Sequence, residues 1–237
     1  MISHHHKCIF VHIPKNAGQS IEHVFLNLLN LDWETRAPLL LRPNDKPELG
    51  PPRLAHLRAH EYVHYRYLSQ EVFDQYFKFT FVRNPWSRMI SIYKYLKFNQ
   101  KYEFKSFLTK AFKNKVWRNE YWFVRPQSDF VYTEDEKLLV DFVGKFETLQ
   151  DDFNDICTKI ALAPTKIPHV NKSNVKPKPS LHPRRLIKYC NHQINQINLK
   201  RIPTFKKYQD YYDDESIEIV AELYKRDIEL FGYQFDN

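Results

Sequence analysis

The chain has 237 residues, 43% hydrophobic and 16% aromatic, enough apolar material for one full-sized core and too much for a disordered chain. Its 36 Lys and Arg against 28 Asp and Glu leave a formal net charge of +8, which favours an anionic partner without naming one. No apolar run approaches the roughly 20 residues of a membrane span, no signal-peptide core is visible, and the sparse Cys8, Cys157 and Cys190 read as reduced thiols, so the expectation is a soluble, cytoplasmic chain.

Residues 7–13 read as a short buried strand. A helix follows from about Ser20, with Ile21, Val24, Phe25, Leu28 and Leu29 at the spacing of one apolar face. Residues 36–53 hold five prolines and no periodicity, which predicts a surface loop. Residues 56–67 are polar, basic and partly helical, and Ser69 is placed to cap a short helix. The run Phe77-Lys78-Phe79-Thr80-Phe81-Val82 reads as a second strand. Asn84 then serves as N-cap and Pro85 as first residue of the next helix.

Phe104, Phe107, Leu108, Ala111 and Phe112 again repeat at helical spacing. Residues 138–143 predict a third strand, and Leu149, Phe153, Ile156 and Ile160 another helix. Residues 165–188 carry four prolines and seven Lys or Arg with no acid, a basic loop. A last helix opens on Asp213-Asp214-Glu215, acids that suit its positive end, and its apolar face is Ile217, Val220, Ala221, Tyr224 and Ile228. Strands alternating with helices imply one α/β domain over 1–237, its parallel sheet covered on both faces. Ligands in such sheets bind where strands end.

Two strand exits carry chemistry. Pro14-Lys15-Asn16-Ala17-Gly18-Gln19-Ser20 leads from strand to helix, where backbone N–H groups can receive an anion. Lys15 stands five residues before Ser20 instead of adjacent to it, and Gly18 is the loop's only glycine. That order differs from the kinase and ATPase phosphate loop and argues against Mg²⁺-dependent phosphoryl transfer. The second exit is Arg83-Asn84-Pro85-Trp86-Ser87-Arg88-Met89-Ile90-Ser91. There a guanidinium and a hydroxyl two turns on can grip one phosphate. Taken singly, either segment could equally be a turn or a strand cap.

Together these segments resemble the carbohydrate sulfotransferases of the group that contains heparan sulfate 2-O-sulfotransferase (sulfotransferase family 2), and their bacterial relatives. The likeness continues through His56-Leu57-Arg58-Ala59, Asp141-Phe142-Val143-Gly144-Lys145-Phe146-Glu147, His169-Val170-Asn171-Lys172-Ser173 and Phe231-Gly232-Tyr233-Gln234-Phe235. Residues 174–205 depart from it, being longer and more basic.

The resemblance implies a P-loop-like three-layer fold with a central parallel sheet flanked by helices. It implies a donor, 3′-phosphoadenosine 5′-phosphosulfate, whose 5′-phosphosulfate is held by Lys15, Asn16, Ala17, Gly18, Gln19 and Ser20. Arg83 and Ser91 would hold the 3′-phosphate, with Lys172 and Ser173 near the nucleotide. The acceptor would be a hydroxyl on a glycan or glycolipid, and the positive charge suits an anionic one. A transferring sulfuryl group carries one negative charge where a phosphoryl group carries two. Lysine and amides can therefore replace a metal, and none is expected. Lys15 is assigned to the leaving group and His56 to the base, with His60 and Glu61 as the alternatives.

Three other readings were open. His60-Glu61-Tyr62-Val63-His64 fits the zinc-hydrolase pattern H-E-x-x-H, with Glu71 a conceivable third ligand, but it lacks the apolar stripe that buries such a helix. A non-catalytic nucleotide- or polyanion-binding module would keep the loops without turnover. The basic–aromatic run from Tyr93 to Tyr102 resembles a single-strand nucleic-acid binder. It continues a helix, however, and reads as half packed and half solvated, so no nucleic acid is expected.

Overall fold

A computed structural model describes residues 1–170 and 202–236. Its centre is a four-stranded sheet in the order β1 (Ile2–Ser3), β2 (Cys8–Val11), β3 (Phe77–Val82) and β4 (Phe142–Lys145). β2, β3 and β4 run parallel, with Phe10 opposite Phe79 and Phe81 opposite Gly144. β1 is an antiparallel edge strand, so the sheet is mostly and not wholly parallel.

Side chains alternate across the sheet and divide the core in two. Cys8, Phe10, Phe79 and Phe81 pack with Ile21, Val24 and Phe25 of helix α1 (Gly18–Leu28) and with Phe153 and Ile156 of the helix Leu149–Lys159. On the other face Ile9, Val11 and Val82 join Met89 and Ile92 of α4 (Pro85–Tyr95), with Val220 and Tyr224 from the C-terminal helices. The result is the expected three layers. Between α1 and α4 lie α2 (Glu61–His64) and α3 (Gln70–Gln75), the latter capped by Ser69 as predicted. Lys78, buried in β3, donates its ammonium to the carbonyls of Phe73 and Tyr76 at the end of α3, where a cation suits the helix.

Several sequence expectations need correction. α1 begins at Gly18, not Ser20, and Leu28 is exposed while Leu26 takes the buried place. The third strand lies at Phe142–Lys145, not 138–143. Leu138 makes only an isolated bridge to Tyr132, and pairing with β3 sets the register farther on. Gly144 belongs in that strand because a Cβ there would sit 2.5 Å from the Phe81 ring. The segment through Phe112 is a π-helix over Phe107–Val116, although its five predicted apolar residues are all buried. The last helix breaks at Tyr224 into Asp214–Leu223 and Lys225–Phe231.

Candidate active site

Residues 12–17 link β2 to α1, and two of them, Lys15 (φ 74°) and Ala17 (φ 61°), adopt left-handed backbone that costs a non-glycine residue about 1 kcal/mol. Contacts on both sides hold them there. Arg88, almost fully buried in α4, donates its Nε to the Pro14 carbonyl at 3.1 Å and its other nitrogens to the carbonyls of Arg125 and Phe123. Gly18 lies against His12 so closely that a Cβ would come within 2.0 Å of the imidazole. Ala17, the N-cap of α1, has no side-chain oxygen to offer the first N–H groups. In α4, by contrast, Asn84 Oδ1 already accepts from the N–H groups of Trp86 and Ser87.

Arg83 leaves β3 and reaches across to this loop. Its Nη1 donates to the Lys15 carbonyl at 3.2 Å, its Nε to Ser87 Oγ at 3.0 Å, and its guanidinium lies 4.1 Å from the centre of the Phe146 ring. Those bonds use two of five N–H donors, and the others bond no described residue. Lys15 rests over the Tyr95 ring at 4.2 Å. Burial first, then the neighbouring Arg83, pulls the Lys15 ammonium down to about 8. Burial likewise brings Arg83 to about 10, still charged at neutral pH. Two cations are thus held together, and neither forms an ion pair with a described residue.

One amide locks both loops in register. Gln127 Oε1 accepts from Asn16 Nδ2 at 2.7 Å and from the Arg83 N–H at 2.8 Å, while its Nε2 donates to the Arg83 carbonyl. Buried Asp227 in turn accepts from the N–H groups of Gln127 and Ser128. Behind the second loop, Glu147 accepts from the Asn84 N–H and the Tyr233 hydroxyl. Asn84 Nδ2 donates to the Gln234 carbonyl, and Trp86 meets Phe235 edge-on. The C-terminal segment is therefore a brace for Asn84 and Trp86, which follow Arg83 into α4.

His56 sits at the end of a short 3₁₀ turn (Leu54–His56), buried beside Trp122 and Phe123. Its Nδ1 is 2.9 Å from the His12 carbonyl, which can only accept. The proton must then be on Nδ1, and Nε2 keeps its lone pair. Burial, and secondarily His12, holds His56 well below the usual histidine range, so the ring is neutral near pH 7.

These elements surround a cleft of about 1000 Å³. Lys15, Arg53, Arg83, Lys94, Lys206 and Lys207 line it, with His12, His56 and His169, and no described carboxylate does. A wall of cations without an acid is built for a multiply charged anion. The sequence profile of the sulfotransferase family matches residues 1–234. The chain belongs to the sulfotransferase family. An uncharacterized protein from Archaeoglobus fulgidus is 32% identical to this sulfotransferase over 98 residues, which are 40% of the chain and 76% of that relative. No solved structure matches it.

Of the residues expected at the site of this sulfotransferase, Lys15, Ala17, Gly18, Gln19, Ser20, Arg83, Ser91 and His56 line the cleft together. Asn16 does not line it; its amide is turned to Phe81 and Gln127 and holds the loop from behind. Lys172 and Ser173 lie outside the described residues. His60 is exposed and off the cleft. Glu61 accepts from the Arg58 N–H and Nε and does not line the cleft. Among the described residues no group of three His, Cys, Asp or Glu is placed to hold a metal. Cys8 and Cys157 are buried free thiols. No described helix is long and apolar enough to cross a membrane.

Sequence reasoning missed His12, Gln127, Arg53, Lys94 and Tyr95. Lys94 and Tyr95 had been divided between packing and solvent. In the fold Tyr93 enters the core, while Lys94 and Tyr95 follow Ser87 and Ser91 along one face of α4 into the cleft.

Proposed function

We propose that this sulfotransferase takes 3′-phosphoadenosine 5′-phosphosulfate as donor and a carbohydrate hydroxyl as acceptor, without a metal, and that residues 1–237 act as one domain. The observation that carries this reading is the carboxylate-free cleft in which Lys15, Arg83 and the lone pair of His56 converge. Lys15 and the first turn of α1 (Gly18, Gln19, Ser20) would hold the 5′-phosphosulfate, and Arg83 with Ser91 the 3′-phosphate. The donor supplies a sulfuryl group on a good leaving group.

The protein's own part is proton and charge management. His56 Nε2 takes the acceptor hydroxyl proton as the oxygen attacks sulfur. The bond from sulfur to the phosphate oxygen breaks in line, and Lys15 meets the charge that develops on that oxygen. Nδ1–H stays bonded to His12, so the imidazolium that forms is held in place and stabilised by a carbonyl. The test is transfer of radiolabelled sulfate from the donor to a panel of mono- and oligosaccharides, beside calorimetry with adenosine 3′,5′-bisphosphate. Binding without transfer to any sugar or other hydroxyl would overturn the catalytic reading, and absence of binding the donor reading.

A further inference from the structure

Lys15 can meet a developing negative charge only while its ammonium is protonated and held in one place. Its surroundings work against the proton. Burial, then the neighbouring Arg83, brings the group down to about 8. The charged groups that share its cleft, Arg53, Arg83, Lys94, Lys206 and Lys207, are all cations, and His12, His56 and His169 complete the basic set. A lysine stem is also flexible, so its charge wanders unless something seats it. No described residue gives the ammonium an ion pair or a hydrogen bond. Its seat is the Tyr95 ring, whose centre lies 4.2 Å from Nζ.

Both partners of this contact are braced. The Lys15 backbone is left-handed (φ 74°), and its carbonyl accepts from Arg83 Nη1 at 3.2 Å. Tyr95 ends α4, one helical turn beyond Ser91. Phe123 stacks on it with ring centres 5.4 Å apart and planes 26° from parallel. Phe123 is itself buried and lies 6.5 Å from the His56 ring, centre to centre. Tyr95 is therefore fixed by the core although 47% of its surface is exposed. Its hydroxyl bonds no described residue, so what it offers Lys15 is the ring. An aromatic face attracts an ammonium and not a neutral amine, and more strongly where water is displaced. The contact thus opposes the loss of the proton as well as the wandering of the stem.

We propose that Tyr95 is a positioning residue for Lys15: its ring holds the ammonium, charged, beside Phe123 and His56, both before and after the donor binds. The inference rests on the donor reading of the cleft.

The experiment uses the full chain, with adenosine 3′,5′-bisphosphate as the probe. Tyr95→Phe keeps the ring and loses only the hydroxyl. Tyr95→4-cyanophenylalanine keeps the shape and draws electron density from the ring face. Lysine labelled with carbon-13 at Cε reports the titration of Lys15 without ligand, its signal identified by its loss in Lys15→Ala. Tyr95→Phe should titrate as the parent does, near 8. The cyano ring should lower the titration by about 0.5 pH unit, the scale of a partly exposed cation–π contact. Bisphosphate affinity in that variant should be unchanged at about pH 6.5, where Lys15 is charged in either chain, and about threefold weaker at about pH 9. In the Lys15→Ala background the cyano ring should change affinity at neither pH.

An unshifted lysine titration with the cyano ring would overturn the proposal. Tighter binding at the lower pH would do the same, since the ring would then be a resting place from which the donor displaces Lys15. An equal loss at the higher pH in Lys15→Ala would also overturn it, by tracing the effect to another group. If the bisphosphate binds none of these chains, the donor reading fails, and the ligand-free titration by itself decides whether the ring holds the charge.

Discussion

His56 donates its Nδ1 proton to the main-chain carbonyl of His12, 2.9 Å away, and their rings lie 4.4 Å apart. The bond ties His56 to the strand exit that also opens the loop over residues 12–17. Anything that moves residues 12–18 moves His56 with them. His12 is itself pinned through Glu22 on α1, so hydrogen bonds join strand, loop, helix and His56.

The pH profile should show this arrangement. Burial depresses the His56 pKa, so the free base persists below 6.5 and the acid limb of kcat/KM should lie under that value. Stability moves the other way. The unfolded chain takes up the proton first, so the His56 contribution worsens as pH falls below about 6.5. His56→Ala should abolish transfer, keep bisphosphate affinity and remove that part of the acid sensitivity, seen as a flatter melting temperature against pH. Full activity in His56→Ala would remove the residue from the mechanism.

Lys15 predicts a proton taken up on binding. Its ammonium titrates near 8 without ligand, and a bound phosphosulfate should restore the charge. At pH 8 calorimetry in buffers of different ionisation enthalpy should record uptake of a fraction of a proton, and affinity should fall as pH rises through 8. Lys15→Ala should abolish the uptake and lower kcat by on the order of 100-fold or more. Folding senses the same shift: the unfolded chain binds this proton more readily between about 8 and 10.5, so stability rises with pH across that window.

Gly18 is required by contact, not by dihedral freedom. Gly18→Ala places a methyl within 2.0 Å of His12, so the ring or the helix start must move. Overpacking of this kind costs about 2 kcal/mol, or roughly 5 °C in melting temperature, and bisphosphate affinity should fall with it. A variant that melts and binds like the parent would show that His12 has room to shift.

Gln127 touches neither face of the cleft yet holds both loops. Gln127→Leu keeps the bulk and leaves the Arg83 N–H and the Asn16 amide without their acceptor. A loss of about 2–3 kcal/mol is expected from the buried unsatisfied groups. Donor KM should rise while the ionisation of His56, read from the pH profile, stays put. A shift in both would mean that Gln127 acts on the base as well.

Much of this protein could be read along the chain. β3 and the Asn84-Pro85 helix start were located by a run of β-formers and a strong N-cap, signals that act within a few residues. That Lys15, Arg83 and Ser91 would meet at one cleft is legible because strand exits of such a sheet share a rim. β4 was misplaced because a short apolar run has no register until a neighbour supplies one. The inward turn of the Asn16 side chain is not legible, because a loop sequence does not say which side chains face the cleft and which face the core.

What local sequence determined, then, is the order of elements and the residues at their exits, through periodicity, capping and turn chemistry. Only the tertiary structure decided that the His56 proton sits on Nδ1, that Gln127 couples two loops 67 residues apart at Asn16 and Arg83, and that Arg36, Arg42 and Arg53 gather beside His56. Those relationships join segments far apart in the chain. They exist because parallel strands bring distant exits to one rim, and because each buried polar group there needed a partner.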